Sequence, residues 1–166
     1  MQKYKYKHLF ITSLILLILS CSDNNNGKSM LTANTDIDTL VKFINLPKTP
    51  IKATWETGDI IKGNSTVPGP KDWALIALLE FDKNDVTEFI KQSTSNTSKT
   101  ANIPKSHFSS WLPVEISSKF SIDSSGGYYQ SSSTTHDATL FSKSPLLNGF
   151  YIQLNETELL LYLYSN

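Results

Sequence analysis

Arginine is absent from this chain of 166 residues; all fifteen basic side chains are lysines. No planar guanidinium is therefore available to grip a phosphate or carboxylate through two parallel hydrogen bonds. Cysteine occurs once, at Cys21, so no intrachain disulfide can form and metal sites built from several thiolates are excluded. Histidine is nearly as scarce. His8, His107 and His136 stand far apart, outside any H-E-x-x-H frame, and no metal or other cofactor is expected. Nor does any apolar run reach the roughly 20 residues that a membrane-crossing helix needs.

What is present begins at the N-terminus. Lys3, Lys5 and Lys7 form a positive segment, and Leu9 to Leu19 (LFITSLILLIL) is an apolar stretch of eleven residues closed by Ser20 and Cys21. This is the layout of a secretory signal. Cleavage before Cys21 by the ordinary rule would need a small residue at −3, where the chain has Ile18. Ile18-Leu19-Ser20-Cys21 instead resembles the lipobox of bacterial lipoproteins. The resemblance implies cleavage between Ser20 and Cys21, a diacylglycerol on the Cys21 thiol and usually acylation (palmitate or a similar chain) of the new amino group. Each buried methylene adds about 0.8 kcal/mol and a single chain holds only weakly, so two or three chains imply a lasting attachment. The expectation is a cell-envelope protein held in a membrane, in the outer one by analogy, through its lipid.

Ser22 to Thr35 is polar and rich in Asn, and reads as a flexible tether of about 45 Å at full extension. Its Ser-Asp-Asn start resembles the tether of Bacteroidetes-type lipoproteins. Three divisions are expected: a signal peptide over 1–20, the lipidated cysteine and tether over 21–35, and one globular domain over 36–166, long enough to bury a core. From Cys21 onward 12 lysines face 15 acids, a net charge of −3. Nucleic-acid binding, which needs clustered positive charge, is not expected.

The fold class expected is α+β: a small antiparallel sheet with two or three helices on one face, ending in a β-hairpin. Ile37, Leu40, Val41 and Ile44 carry the spacing of an amphipathic helix, with Thr35 or Asp36 as cap and Pro47 as stop. Asp38-Thr39-Leu40 within it also matches a short O-glycosylation motif, although a helix is a poor acceptor. Pro50 to Thr57 alternates like a half-buried strand, and Gly58 to Lys71 reads as a loop. Trp73 to Phe81 (WALIALLEF) has helix-like composition but strand-like length and boundaries; the expectation is a central strand. A helix capped by Asp82 or Asn84 follows to Gln92. Over Ile103 to Phe120 a short helix ending near Pro113 and then an extended piece are expected. Ser93 to Asn102 and Ser121 to Asp137 read as polar loops. Gly149 to Leu154 and Glu158 to Tyr164 are the strands of the closing hairpin, the second apolar on both faces and so interior.

Catalytic residues are not expected. The chain has no G-x-S-x-G elbow, and His136-Asp137 are neighbours in sequence, which does not let one orient the other's ring. A small envelope hydrolase using His136 or His107 is the third-ranked reading, with Asp137 capping the turn that follows as the plainer account. Glu80 with Asp82, Asp85 with Glu88 and Glu156 with Glu158 are pairs of acids, but a glycosidase needs two facing one cleft. Gly126-Gly127-Tyr128-Tyr129 can form a binding loop of large contact area at low entropic cost, or a turn whose tyrosines pack inward. Trp55, Trp73 and Trp111 can stack sugars, or can each serve the core.

Val67-Pro68-Gly69-Pro70-Lys71-Asp72-Trp73, then an apolar strand and a short acidic helix, resembles a pattern in small uncharacterised lipoproteins with a G-P-T-D-aromatic element. Lys71 stands in place of the Thr. Leu146-Leu147-Asn148-Gly149 and the last Leu/Tyr strand are similar to the same group. The resemblance adds fold and no chemistry. The leading expectation is a membrane-anchored, non-catalytic binding or interaction domain, with a protein partner (an immunity-like role) or, second, a surface glycan.

Overall fold

The two most apolar segments of the chain lie side by side. β2 (Trp73–Glu80) and β9 (Glu158–Tyr164) pair antiparallel, from Ala74 opposite Tyr164 to Glu80 opposite Glu158. Both are apolar on both faces because both faces are covered. We describe a computed structural model of the chain, covering residues 33–59, 73–93, 95–96, 101–107, 111–131 and 133–165. These fall within one compact unit, Leu31–Asn166.

The other strands complete two sheets. β1 (Lys52–Asp59) pairs with the outer side of β2, and β8 (Asn148–Gln153) with the far side of β9. β7 (Thr135–Asp137) and the short β3 (Ser95–Asn96) extend the sheet beyond β8, giving the order β1-β2-β9-β8-β7-β3 with every pairing antiparallel. A second sheet has the order β4-β6-β5, from Ala101–Pro104, Tyr128–Ser131 and Ser121–Ile122.

Side chains alternate across each strand, so the register sorts them into two cores. Odd positions of the central strands (Leu75, Ala77, Leu79, Leu159, Leu161, Leu163) meet helix α1 (Ile37–Phe43) through Leu40 and helix α2 (Lys83–Gln92) through Val86 and Phe89. Phe81, Phe89, Phe141 and Tyr151 interlock there, with Phe89 edge-on to Phe81 at 5.1 Å and to Phe141 at 5.6 Å, an arrangement favoured by the ring quadrupoles. Even positions (Ala74, Ile76, Leu160, Tyr162) meet the small sheet through Ala101 and Ile103, and helix α3 (Val114–Ser117) through Ile116. Each fully buried Leu or Ile contributes about 1.5–3 kcal/mol. A β2 buried on both faces therefore ties the two cores together.

Several expectations hold. The mixed α and β architecture, the strand over Trp73–Glu80, the helix ending at Gln92 and the hairpin β8–β9 are present. Asp36 caps α1, accepting from the Asp38 N–H at 2.9 Å, and Asp137 accepts from the Thr139 N–H at 2.8 Å at the start of the 3-10 turn Thr139–Phe141.

Three expectations are corrected. The helices do not share one face: α1 and α2 lie on one side of the large sheet, whereas α3 packs with the small sheet on the other. Pro113 does not end a helix but precedes α3 as its N-cap, a place where proline's fixed φ and missing N–H are harmless. The two polar stretches are not plain loops, since Ser93 to Asn102 holds β3 and the start of β4, and Ser121 to Asp137 supplies β5, β6 and β7. The Gly58–Lys71 loop and the Pro68-Gly69-Pro70 element lie mostly or wholly outside the described residues, as do the signal, Ser20, Cys21 and nearly all of the tether. Among the described residues no helix is long and apolar enough to cross a membrane.

Candidate functional site

The even face of β1, β2 and β9 is ordered in cross-strand rows. Lys52, Glu80 and Glu158 form the first row; Thr54, Leu78 and Leu160 the second; Glu56, Ile76 and Tyr162 the third; Gly58, Ala74 and Tyr164 the fourth. The small sheet and α3 cover the middle of this face, Leu160 of the second row included. Lys52, Thr54, Leu78, Glu80 and Glu158 of the first two rows, with Trp111 and Pro113 beside them, line a groove of about 200 Å³.

Trp111 is held in place by the third row. Its indole N–H donates to Oε2 of Glu56 at 2.8 Å. Glu56 is 4% exposed, so this charge-assisted bond forms where water competes little. With its N–H edge taken, the indole contributes its carbon surface to the groove. The polar groups opposite are largely uncommitted among the described residues. Lys52, Thr54 and Glu80 make no side-chain hydrogen bond or ion pair among the described residues, and Glu158 gives one oxygen to the Asn155 side-chain amide and keeps the other free. The groove thus offers one ammonium, one hydroxyl, two carboxylates and an aromatic surface.

Two carboxylates in one groove raise the question of glycoside hydrolysis. A general acid is made by holding one carboxyl in an apolar pocket while the other stays hydrated. Glu80 and Glu158 are both half-buried and stand in one row with Lys52. That geometry offers carboxylate oxygens to a ligand beside an ammonium, and neither carboxyl is enclosed in an apolar pocket. The pairs suggested by sequence do not assemble: Asp82 is the N-cap of α2, Glu156 forms a surface ion pair with Lys83 at 2.7 Å, and Glu88 bonds Gln92.

Further along the face, His107 and Tyr162 are joined, Nδ1 to the hydroxyl at 3.1 Å, and both are buried. His107 and Glu56 line a narrow cleft of about 10 Å³ over Ala74 and Ile76, room for about one water molecule. Burial, and then the neighbouring Tyr164 and Tyr128, push the Tyr162 phenol well above its ordinary range, so it remains a neutral donor. The glycine turn before β6 divides its tyrosines. Asp123 organises that turn, its Oδ1 accepting from the N–H of Gly127 and of Tyr128, both at 3.0 Å. Tyr128 is 45% exposed beside Tyr162, while Tyr129 packs into the second core. The three tryptophans do not form one platform. Trp55 is buried on the helical face against Phe43 at 5.5 Å, Trp73 is exposed at the start of β2, and Trp111 alone lines the groove.

His136 sits on the opposite side of the sheet. Its Nδ1 lies 3.2 Å from the Ser93 hydroxyl, and its ring stacks on Tyr151 at 5.1 Å between centroids. The Tyr151 hydroxyl lies 2.7 Å from Ser93 Oγ and 2.9 Å from the Phe89 carbonyl oxygen. A serine beside a histidine invites comparison with a hydrolase. Ser93, however, is the C-cap of α2, where the helix dipole and its last carbonyls oppose a developing oxyanion. The cluster secures the end of α2 to the sheet. Asp137 turns away to cap Thr139.

Sequence reasoning missed the groove because its members come from four distant segments. The signals present were the alternation of β1 and the paired β2 and β9, which fix the rows once the register is known. Among the described residues no group of three or more His, Cys, Asp or Glu is placed to hold a metal ion. No family model, curated protein or solved structure matches the chain.

Proposed function

We propose that this chain is a lipid-anchored protein of the cell envelope, in the outer membrane, whose domain binds another envelope component in the groove beside Trp111 without covalent chemistry. The observation that carries this reading is the row Lys52-Glu80-Glu158, in which Lys52 and Glu80 have no side-chain partner among the described residues, facing an indole that Glu56 holds in position. Binding sites characteristically combine an apolar surface with a few convergent polar groups on a rigid scaffold, and a central sheet covered on both faces is such a scaffold. The signal segment, with Cys21 as the acylated residue, supports the anchor.

A photo-reactive residue at position 52, placed in the full-length protein in living cells, tests the groove. The same residue at Lys91, exposed on α2 on the opposite face, is the control. Adducts at 52 of a defined mass, absent at 91, are expected. Adducts equal at both positions, or none at 52, contradict the proposal.

A further inference from the structure

Resting on that reading, we infer that the ligand of the groove is a glycan built of pyranose rings with equatorial hydroxyls, of the glucose or N-acetylglucosamine type.

The chemistry of the lining selects it. A phosphate-bearing ligand would face two carboxylates against one ammonium. A cationic peptide would meet Lys52 in line with Glu80. A purely apolar segment would strip water from Lys52, Thr54 and Glu80 and return no hydrogen bond, and a polar group buried without a partner is costly. A sugar hydroxyl both donates and accepts, so one ligand can satisfy the ammonium, the Thr54 hydroxyl and the carboxylates together. When the hydroxyls are equatorial they lie around the ring edge, and the axial C–H groups leave an apolar face. That face matches the carbon surface of Trp111, and the edge matches the row on β1, β2 and β9.

The test uses the purified full-length lipoprotein in a detergent without a sugar headgroup. Cellotetraose and chitotetraose are titrated by calorimetry, with sorbitol as an open-chain polyol carrying hydroxyls but no ring face. Saturable binding of at least one tetrasaccharide is expected, with none for sorbitol. Binding should weaken at least tenfold in Glu80→Ala and in Trp111→Leu. Glu80 makes no side-chain hydrogen bond or ion pair among the described residues, so its variant reports on binding even if Trp111→Leu folds poorly. No saturable binding of either tetrasaccharide, equal binding of sorbitol, or binding unchanged in Glu80→Ala overturns the inference. Adducts at position 52 without sugar binding would reject the glycan and leave the groove as a site for another partner, a protein included; failure of both rejects both.

Discussion

Trp111 donates its indole N–H to Glu56 Oε2 at 2.8 Å, joining the segment before α3 to the edge strand β1 across 55 residues of sequence. Glu56→Ala leaves that donor without its partner. The expected loss is about 2 kcal/mol, read as a lower urea midpoint. Glu56→Gln keeps an acceptor oxygen and should lose clearly less. Equal midpoints for the two variants would show that the bond does not hold the indole.

Tyr151 plays the corresponding part on the helical face. Its hydroxyl is buried against the Phe89 carbonyl and Ser93. Tyr151→Phe removes the one hydroxyl hydrogen and the oxygen that these two groups share, and should cost about 1–2 kcal/mol. Unfolding in urea measures it, and a variant as stable as the parent would show that the hydroxyl is not needed to fasten α2.

Burial holds the His136 imidazole below its ordinary value. The unfolded chain then takes up a proton more readily than the folded one, so the contribution of neutral His136 is complete above about pH 6.5. It declines as pH falls from there through the folded-state value. The groups facing the ring are the Ser93 hydroxyl and Tyr151, neither a carboxylate to offset a proton. Stability measured at pH 7.5 and 5.5 should fall on acidification, and by less in His136→Gln. An identical fall in both proteins would remove His136 as the cause.

Two glycines with positive φ should respond very differently to alanine. At Gly149 (φ +152°) an added Cβ would lie 2.2 Å from the Tyr162 carbonyl oxygen and 2.9 Å from Leu163 Cα, backbone that the sheet fixes. Gly149→Ala should cost about 3 kcal/mol or more, since strain and overpacking act together. At Gly126 (φ +73°) nothing lies within 4 Å, and Gly126→Ala should cost about 1 kcal/mol from the left-handed backbone alone. Comparable thermal shifts for the two would contradict the close approach of β8 and β9.

The strands that sequence revealed are those whose burial is written in their composition. Between their end residues Trp73–Glu80 and Glu158–Tyr164 are apolar because both faces are covered there. The strands it hid, β3 to β7, are two to four residues long and mostly polar; tertiary pairing rather than propensity decides them. Thr135 and His136 are buried only because β7 lies between β8 and β3. The helix over Ile37–Phe43 was legible, and Thr39 of the glycosylation motif lies in it with its hydroxyl donating to Asp36. The groove was illegible for a different reason. Its acids, Glu80 and Glu158, are 78 positions apart in number yet directly opposed in register, and proximity in sequence pointed to Asp82 and Glu156 instead.

The proposed anchor has a test separate from the domain. Cys21→Ala removes the only thiol, and with it the proposed acceptor for the diacylglycerol. Fatty-acid labelling should vanish and the protein should leave the membrane fraction. Persistent labelling would refute the lipobox reading while leaving the groove untouched.

The most direct test of the central claim, that the ligand is held on the even face of the sheet, is hydrogen–deuterium exchange of the full-length protein. Exchange is compared between its own envelope vesicles and the purified state in detergent. The account predicts slower exchange in peptides covering 52–56, 78–80 and 111–113 in the vesicles, with α2 over 83–92 unchanged. Unchanged groove peptides, or protection confined to α2, would contradict it.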